Sequence, residues 1–180
     1  MKFYERQFEC KKLKEVKKIS ETRHAHLVGE EMPYSHHLQI ISAAVFLLVW
    51  SLDSFIFKFS VGLASFVPWV FRLIGALCVI ILGIMLVRLA EKALFHEELE
   101  SPNVIDTGVL GHVRHPLYLG VLIIYLGFII GTFSIISFVI FIIVAVIHNK
   151  LATYEEKDLE RIFGEKYIEY KRRVPKWIPR

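Results

Sequence analysis

Four apolar runs alternate with charged stretches along the chain. The first is Leu38–Phe57 and the second Phe66–Val87; each is close to the ~20 residues needed to cross a bilayer. The third, Leu117–Ile130, and the fourth, Phe133–Ile147, are shorter, and only "GTFS" at 131–134 separates them. A connection that short predicts a tight helical hairpin. Beyond it, Leu159, Ile162 and Phe163 form an apolar stripe on an otherwise charged helix, and Gly164 is placed to end it. Tyr167, Tyr170 and Val174 form a second stripe, and Trp177 suits a membrane interface. The pattern predicts an all-α integral membrane protein. It has about four transmembrane helices, a C-terminal helical hairpin and amphipathic tail helices lying on the cytoplasmic surface. Residues 1–37 read as a separate charged N-terminal segment and 38–180 as the membrane domain.

Charge sets the expected orientation. The first 37 residues carry eight Lys/Arg and the tail from Lys150 carries nine. The middle loop holds Arg88, Lys92 and Arg114, whereas the loop between the first two runs has only Lys58 and the hairpin turn none. The positive-inside rule then puts both termini and the middle loop in the cytoplasm. At 54% hydrophobic with a net charge of +4, the chain is too apolar for an ordinary soluble domain. No cleavable signal peptide is expected, and the run from Leu38 reads as an uncleaved anchor. Cys10 and Cys78 lie far apart in different settings, which argues against a disulfide framework. The basic run "KKLKEVKK" is diluted by acidic neighbours and reads as a solvated or lipid-facing stretch, not a nucleic-acid site. Asp53 and Arg72 sit inside apolar runs toward the same end, so they either pair or snorkel separately to the interface.

The candidate chemistry lies in the middle loop, "SPNVIDTGVLGHVRHPLYLG". Pro116 suits the first position of an apolar helix. The amides from Leu117 to Leu119 then have no intrahelical partners and face the positive end of the helix dipole. Arg114 and His115 add donors beside them. This doorstep either anchors a helix end at the headgroups or binds a polar, partly anionic ligand. Gly120, Gly127 and Gly131 allow close backbone approach, with small-xxx-small spacing between the last two. Glu155 and Glu156 follow the fourth run by about two turns. A tight hairpin returns them to the start of the third helix, against Arg114 and His115, where a site of both signs could hold a zwitterion. His112 and His115 lack the further cysteines or carboxylates of a zinc site, as do His24, His26, His36 and His37. No metal is expected.

"TGVLGHVRHPLYLG", a hairpin, then "EEKDLERIFGEKYIEYKRRVPKWIP" resembles the isoprenylcysteine carboxyl methyltransferase and phospholipid methyltransferase superfamily over roughly Ser101–Arg180. The paired signature R-H-P-x-Y-x-G, E-E, F-G-x-x-Y-x-x-Y and V-P carries the resemblance. It implies S-adenosyl-L-methionine as cofactor, bound on the cytoplasmic side of the hairpin by a core at about 101–180. It implies cofactor contacts at His115, Pro116, Leu117, Tyr118 and Glu155, and a second contacting stretch at Pro102, Asn103, Val104 and Ile105. Leu110, where the family often has tyrosine, and His112 join these candidates. Arg114 and Glu156 are the candidates for catalytic roles. The arginine that the family places on the prenyl substrate's carboxylate, shortly before the double glutamate, has no clear match; Lys150 and Leu151 stand nearest.

The implied reaction is in-line methyl transfer to a lipophilic acceptor entering from the bilayer, with membrane lipids as surroundings. A carboxylate acceptor, as in isoprenylcysteine, is already ionised and needs no base. An amine acceptor, as in phospholipid methylation, needs deprotonation, with Glu156 or Tyr118 as the base. Membrane sterol-type NADPH reductases share a similar ending, but a tryptophan and further basic residues are expected around their glycine, where this chain reads "FGEKYIEY". A non-enzymatic scaffold has no need for the arginine, histidines and glutamates to converge.

Overall fold

The computed structural model describes residues 35–95 and 104–178. Pro102, Asn103, Cys10, His24 and His26, most of the N-terminal segment and the side chain of His36 lie outside the described residues. Those described form five α-helices and no strand. Helix α1 spans Ser35–Ser51 and runs on as a π-helical turn, Leu52–Phe57. A 3-10 turn at Gly62–Phe66 leads to α2, Trp69–Phe95, which starts directly after Pro68. A second 3-10 turn, Gly108–Gly111, precedes α3, Pro116–Thr132. Helix α4 is Ile135–Phe163 and α5 is Glu165–Arg173.

Three stretches are long and apolar enough to cross a bilayer: His37–Phe57, Trp69–Leu94 and Ile135–Phe163. Helix α3 is shorter at 17 residues, roughly 26 Å at 1.5 Å per residue. Large apolar side chains such as Ile40, Leu48, Phe71, Ile81 and Ile143 stand exposed on the outer faces. In water such surface would be costly; against lipid it is the expected coat. The protein is an all-α membrane protein.

The α3–α4 hairpin forms where the sequence predicts it. Phe133 takes a left-handed conformation at φ 52° and closes α3 through its amide on the Ile129 carbonyl, 2.6 Å. Ser134 then caps α4, its hydroxyl accepting from the Ser137 amide at 3.0 Å. The glycines, however, serve a different contact from the one their position beside the hairpin suggests. A Cβ on Gly120 would lie 2.9 Å from the Gly83 carbonyl oxygen of α2 and 2.7 Å from Val87. One on Gly127 would lie 2.5 Å from Ile80 and 3.1 Å from the Ala76 carbonyl. The small residues therefore seat α3 on α2, backbone against backbone, and not on α4.

Helix α4 also differs from expectation. It continues without a break through Ile147 to Phe163, since no glycine or proline interrupts that stretch. The stripe at Leu159 and Phe163 is thus the end of a spanning helix, not a separate surface helix. Gly164, at φ +57°, ends it as predicted. Tyr167, Tyr170 and Val174 are buried against Leu159, Phe163 and Val104, so α5 folds back onto protein instead of resting its stripe on lipid.

At the hairpin-turn end, Asp53 and Arg72 do not pair. Asp53 accepts from the hydroxyls of Ser60 and Ser134, the latter at 2.5 Å. Arg72 donates to the carbonyls of Val67 and Gly131, at 3.1 and 3.2 Å. Each ties a loop to the α3–α4 turn, which satisfies a costly polar group and fixes this end of the bundle.

Replacing Gly120 by valine drives a branched side chain into the α2 backbone. Such overpacking costs ~1–3 kcal/mol, so detergent-solubilised Gly120→Val protein should unfold at clearly lower temperature. Gly75→Ala, whose Cβ would meet only Ile130 at 3.5 Å, should unfold with the parent. Equal melting of all three proteins would contradict the close α2–α3 seat.

Candidate functional site

At the other end of the bundle the polar residues converge. The start of α3 supplies Arg114, His115 and Tyr118; α4 supplies His148, Glu155 and Glu156; the chain after α5 supplies Trp177. Pro116 occupies the first turn of α3, where its missing N–H costs nothing. Its neighbour Arg114 is held on both sides: its amide donates to the Pro175 carbonyl at 3.0 Å, and its guanidinium to the Lys171 carbonyl at 3.2 Å. Glu155 and Glu156 return to this point as the tight hairpin requires.

Glu156 is the electrostatic centre, 3% exposed. One carboxylate oxygen lies 3.2 Å from Arg114 and 3.0 Å from Nε2 of His115; the other lies 3.4 Å from Lys171. Lys171 also pairs with Glu160 at 2.5 Å. A carboxylate so far from water is tolerable only because cations fill both oxygens. Burial holds His115 below its ordinary value, although the hydrogen bond to Glu156 pulls the other way. The neutral ring therefore donates from Nε2.

Glu155 has a different setting. It is less buried than Glu156; it accepts from the Tyr118 hydroxyl and lies 3.7 Å from Nδ1 of His115. Tyr118 also accepts from Gln39 of α1 at 3.2 Å. The rings of Tyr118 and Trp177 flank His115, both at 5.9 Å between centroids. Trp177 is fixed by its indole N–H on the Asn149 side chain at 3.0 Å. Below them Tyr118 packs with Leu151, Ala152, Leu117 and Ile147.

Among the sequence candidates, Arg114, His115, Pro116, Leu117, Tyr118, Glu155 and Glu156 stand together. Leu110 lies to one side in the core, its carbonyl accepting from Tyr170 at 2.7 Å. Val104 packs on the α5 tyrosines, and Ile105 follows it, half-buried. His112 is exposed and bonds the Gly108 carbonyl at 3.0 Å, apart from the cluster. Sequence reasoning passed over Lys171, Gln39, Asn149 and His148. His148 alone left a signal: it precedes Glu155 by seven residues, two helical turns on the same face. Burial pushes the Tyr170 phenol up to about 12 and that of Tyr167 further, so both stay protonated. Among the described residues no group of histidines, cysteines and carboxylates could hold a metal ion.

A helical membrane bundle with a mixed-charge cluster at one end is the class of protein that fold and site define. Residues 71–166 match the phospholipid methyltransferase family, and the chain belongs to it. The chain is 32% identical over 134 residues to the methanethiol S-methyltransferase of Crocosphaera subtropica (strain ATCC 51142 / BH68), covering 73% of this chain and 51% of that protein. It is 35% identical over 81 residues to protein-S-isoprenylcysteine O-methyltransferase B of Arabidopsis thaliana, covering 44% of this chain and 41% of that one. The chain thus spans about half the length, or less, of these relatives. No solved structure matches it significantly.

The depressed His115 pKa makes stability depend on pH. The unfolded imidazole takes up a proton near 6.5 while the folded one resists it, so the stabilisation is complete above 6.5 and is lost as pH falls. Urea or thermal unfolding of the parent should weaken between pH 6.5 and 5, and His115→Gln should flatten that slope. Glu156→Ala, which strands buried cations, should cost ~3–5 kcal/mol. A Glu156→Ala protein as stable as the parent would contradict the role given to this carboxylate.

Proposed function

We propose that the chain is an S-adenosylmethionine-dependent membrane methyltransferase whose cofactor lies between the start of α3 and the Glu155 turn of α4. The observation that carries this reading is the division of labour between adjacent glutamates. Glu156 is saturated by Arg114, His115 and Lys171, whereas Glu155 faces Tyr118 and His115 from a partly open position. Family membership supports the same reaction class.

The residues present fit this cofactor. S-adenosylmethionine joins a cationic sulfonium and ammonium to a carboxylate and an adenine. Glu155 offers a carboxylate to the cationic part. The Nε–H of Arg114 is buried without a hydrogen-bond partner, an unspent donor for a carboxylate. Trp177, His115 and Tyr118 offer ring faces for the base. When bound, the cofactor supplies an electrophilic methyl group. The protein's part is to orient and to exclude water: Pro116 and Leu117 wall the cleft, Tyr118 steadies Glu155, and the buried Glu156 cluster fixes the whole frame. Glu156 is then a positioning residue and not a base, since its lone pairs are already directed at cations.

Residues 38–180 act as one methyltransferase unit on this reading, with the core at about 101–180 and with the site end and both termini on the cytoplasmic side. The acceptor is lipophilic and comes through the bilayer on this reading, supported by the apolar packing of Leu117, Ile147, Leu151 and Ala152 around Tyr118 on the bilayer side of the charged cluster. Sulfur and carboxylate acceptors are both drawn from the names of the relatives.

The test is equilibrium binding to purified protein in nanodiscs. Glu155→Gln should weaken S-adenosylmethionine more than tenfold, a charge-assisted contact contributing ~1.5–3 kcal/mol. S-adenosylhomocysteine, which lacks the sulfonium charge, should lose less. Equal loss of both ligands, or none, would contradict the placement of Glu155.

A further inference from the structure

His148 takes no part in the ion-pair frame, yet it is 1% exposed. Its Nδ1 lies 2.9 Å from the Val144 carbonyl one turn back in α4. A carbonyl only accepts, so Nδ1 carries the hydrogen. The neutral ring then has its lone pair on Nε2, and that atom has no hydrogen-bond partner among the described residues. Tyr118 meets the ring edge-on, with centroids 5.4 Å apart. The same tyrosine bonds Glu155. His148 thus lies two turns, roughly 10 Å, deeper along α4 than the cofactor carboxylate, on the side from which a membrane-borne acceptor approaches.

A ring nitrogen whose lone pair no protein group engages is available to a bound ligand. From the sequence, the titratable groups of α1 are His36 and His37 at its start, and residues 38–51 carry none. On the elements around His148 the titratable groups are His115, Tyr118 and Tyr125 at and along α3, Lys150, Tyr154, Glu155 and Glu156 further along α4, and Lys176 after α5. The Lys176 amine is engaged by the Asn149 carbonyl and the Thr153 hydroxyl at 3.2 and 2.6 Å. Among the described residues no cation stands beside the ring. At the nearby positions 150 and 151, Lys150 is exposed and Leu151 is buried and apolar. The inner part of the site therefore offers a proton acceptor, with no built partner for an anion.

We propose that the methyl acceptor is a lipophilic thiol and that His148 Nε2 is the base that takes its proton. This rests on the methyltransferase reading and names its substrate class. The S–H bond breaks and its proton passes to Nε2. The thiol sulfur forms a bond to the methyl carbon, and the carbon–sulfonium bond of the donor breaks with its electron pair retained on that sulfur. The products are a methyl thioether, S-adenosylhomocysteine and an imidazolium. One positive charge enters on the donor and one remains on His148, so the net charge of the site is unchanged. A thiol gains a nucleophilic sulfur by this transfer, its free pKa being well above neutrality. A carboxylate needs no proton removed and has nothing here to hold it.

The experiment uses the full chain in nanodiscs with hexanethiol and with N-acetyl-S-farnesylcysteine as acceptors. Hexanethiol should be methylated and the prenylcysteine carboxylate turned over at least tenfold less efficiently. His148→Ala should lose about 100-fold or more of kcat/KM toward the thiol at pH 7, in the range of general-base contributions. Its rate should recover as pH rises and thiolate forms in solution, and with added imidazole. S-adenosylhomocysteine should bind parent and variant within twofold, which shows the variant folded. Nitrogen NMR of histidine-labelled protein should show an unprotonated Nε2 signal that His148→Ala removes and that is distinct from the one expected of His112. A variant that methylates hexanethiol with the parent's pH profile overturns the proposal, as does preferred, His148-independent methylation of the carboxylate. Absence of S-adenosylhomocysteine binding by the parent would instead overturn the methyltransferase reading itself.

Discussion

The buried carboxylate of Glu156 is the constraint on which the site depends. It joins three parts of the chain that share no covalent proximity: Arg114 and His115 before α3, Glu156 three-quarters of the way along α4, and Lys171 on α5. Any one of these charges, left alone away from water, would be strongly unfavourable. Together they are satisfied only in one arrangement, so the ion-pair cluster specifies the register between α3 and α4. Tyr118 and Glu155 then have little freedom, since Glu155 is next to Glu156 and Tyr118 lies one helical turn from His115.

The rest of the bundle keeps that register from drifting. Gly83, Gly120 and Gly127 lock α3 onto α2. The Asp53 and Arg72 contacts hold the far end of the hairpin. Helix α3 is thereby fixed at both ends and along one face. Its other side is left to form the site with α4. Close packing in a membrane comes from such small-residue seams and from satisfied polar groups, because lipid gives no hydrophobic reward for bringing helices together.

The helices and the return of the double glutamate to Arg114 and His115 were legible in the sequence, because apolar run length and a four-residue turn leave few geometries open. Three things were not. The glycine spacing announces a close contact but not its partner, and α2 was indistinguishable from α4 on that evidence. The stripe after Ile147 has the same period whether its helix continues or starts anew, so continuity became visible only in the structure. His148 lies in an apolar helix beside Asn149, and nothing in its spacing shows that Val144 fixes its tautomer. His112 illustrates the reverse: its closeness to His115 in sequence is undone by the turn at Gly108–Gly111, which leaves it exposed.

The most direct test of the account is hydrogen exchange of the protein in nanodiscs with and without S-adenosylhomocysteine. Protection should rise at residues 113–119, 148–157 and 174–178, the three stretches that meet at the charged cluster. Protection confined to the Asp53–Arg72 end of the bundle, or no change anywhere under saturating ligand, would contradict the site.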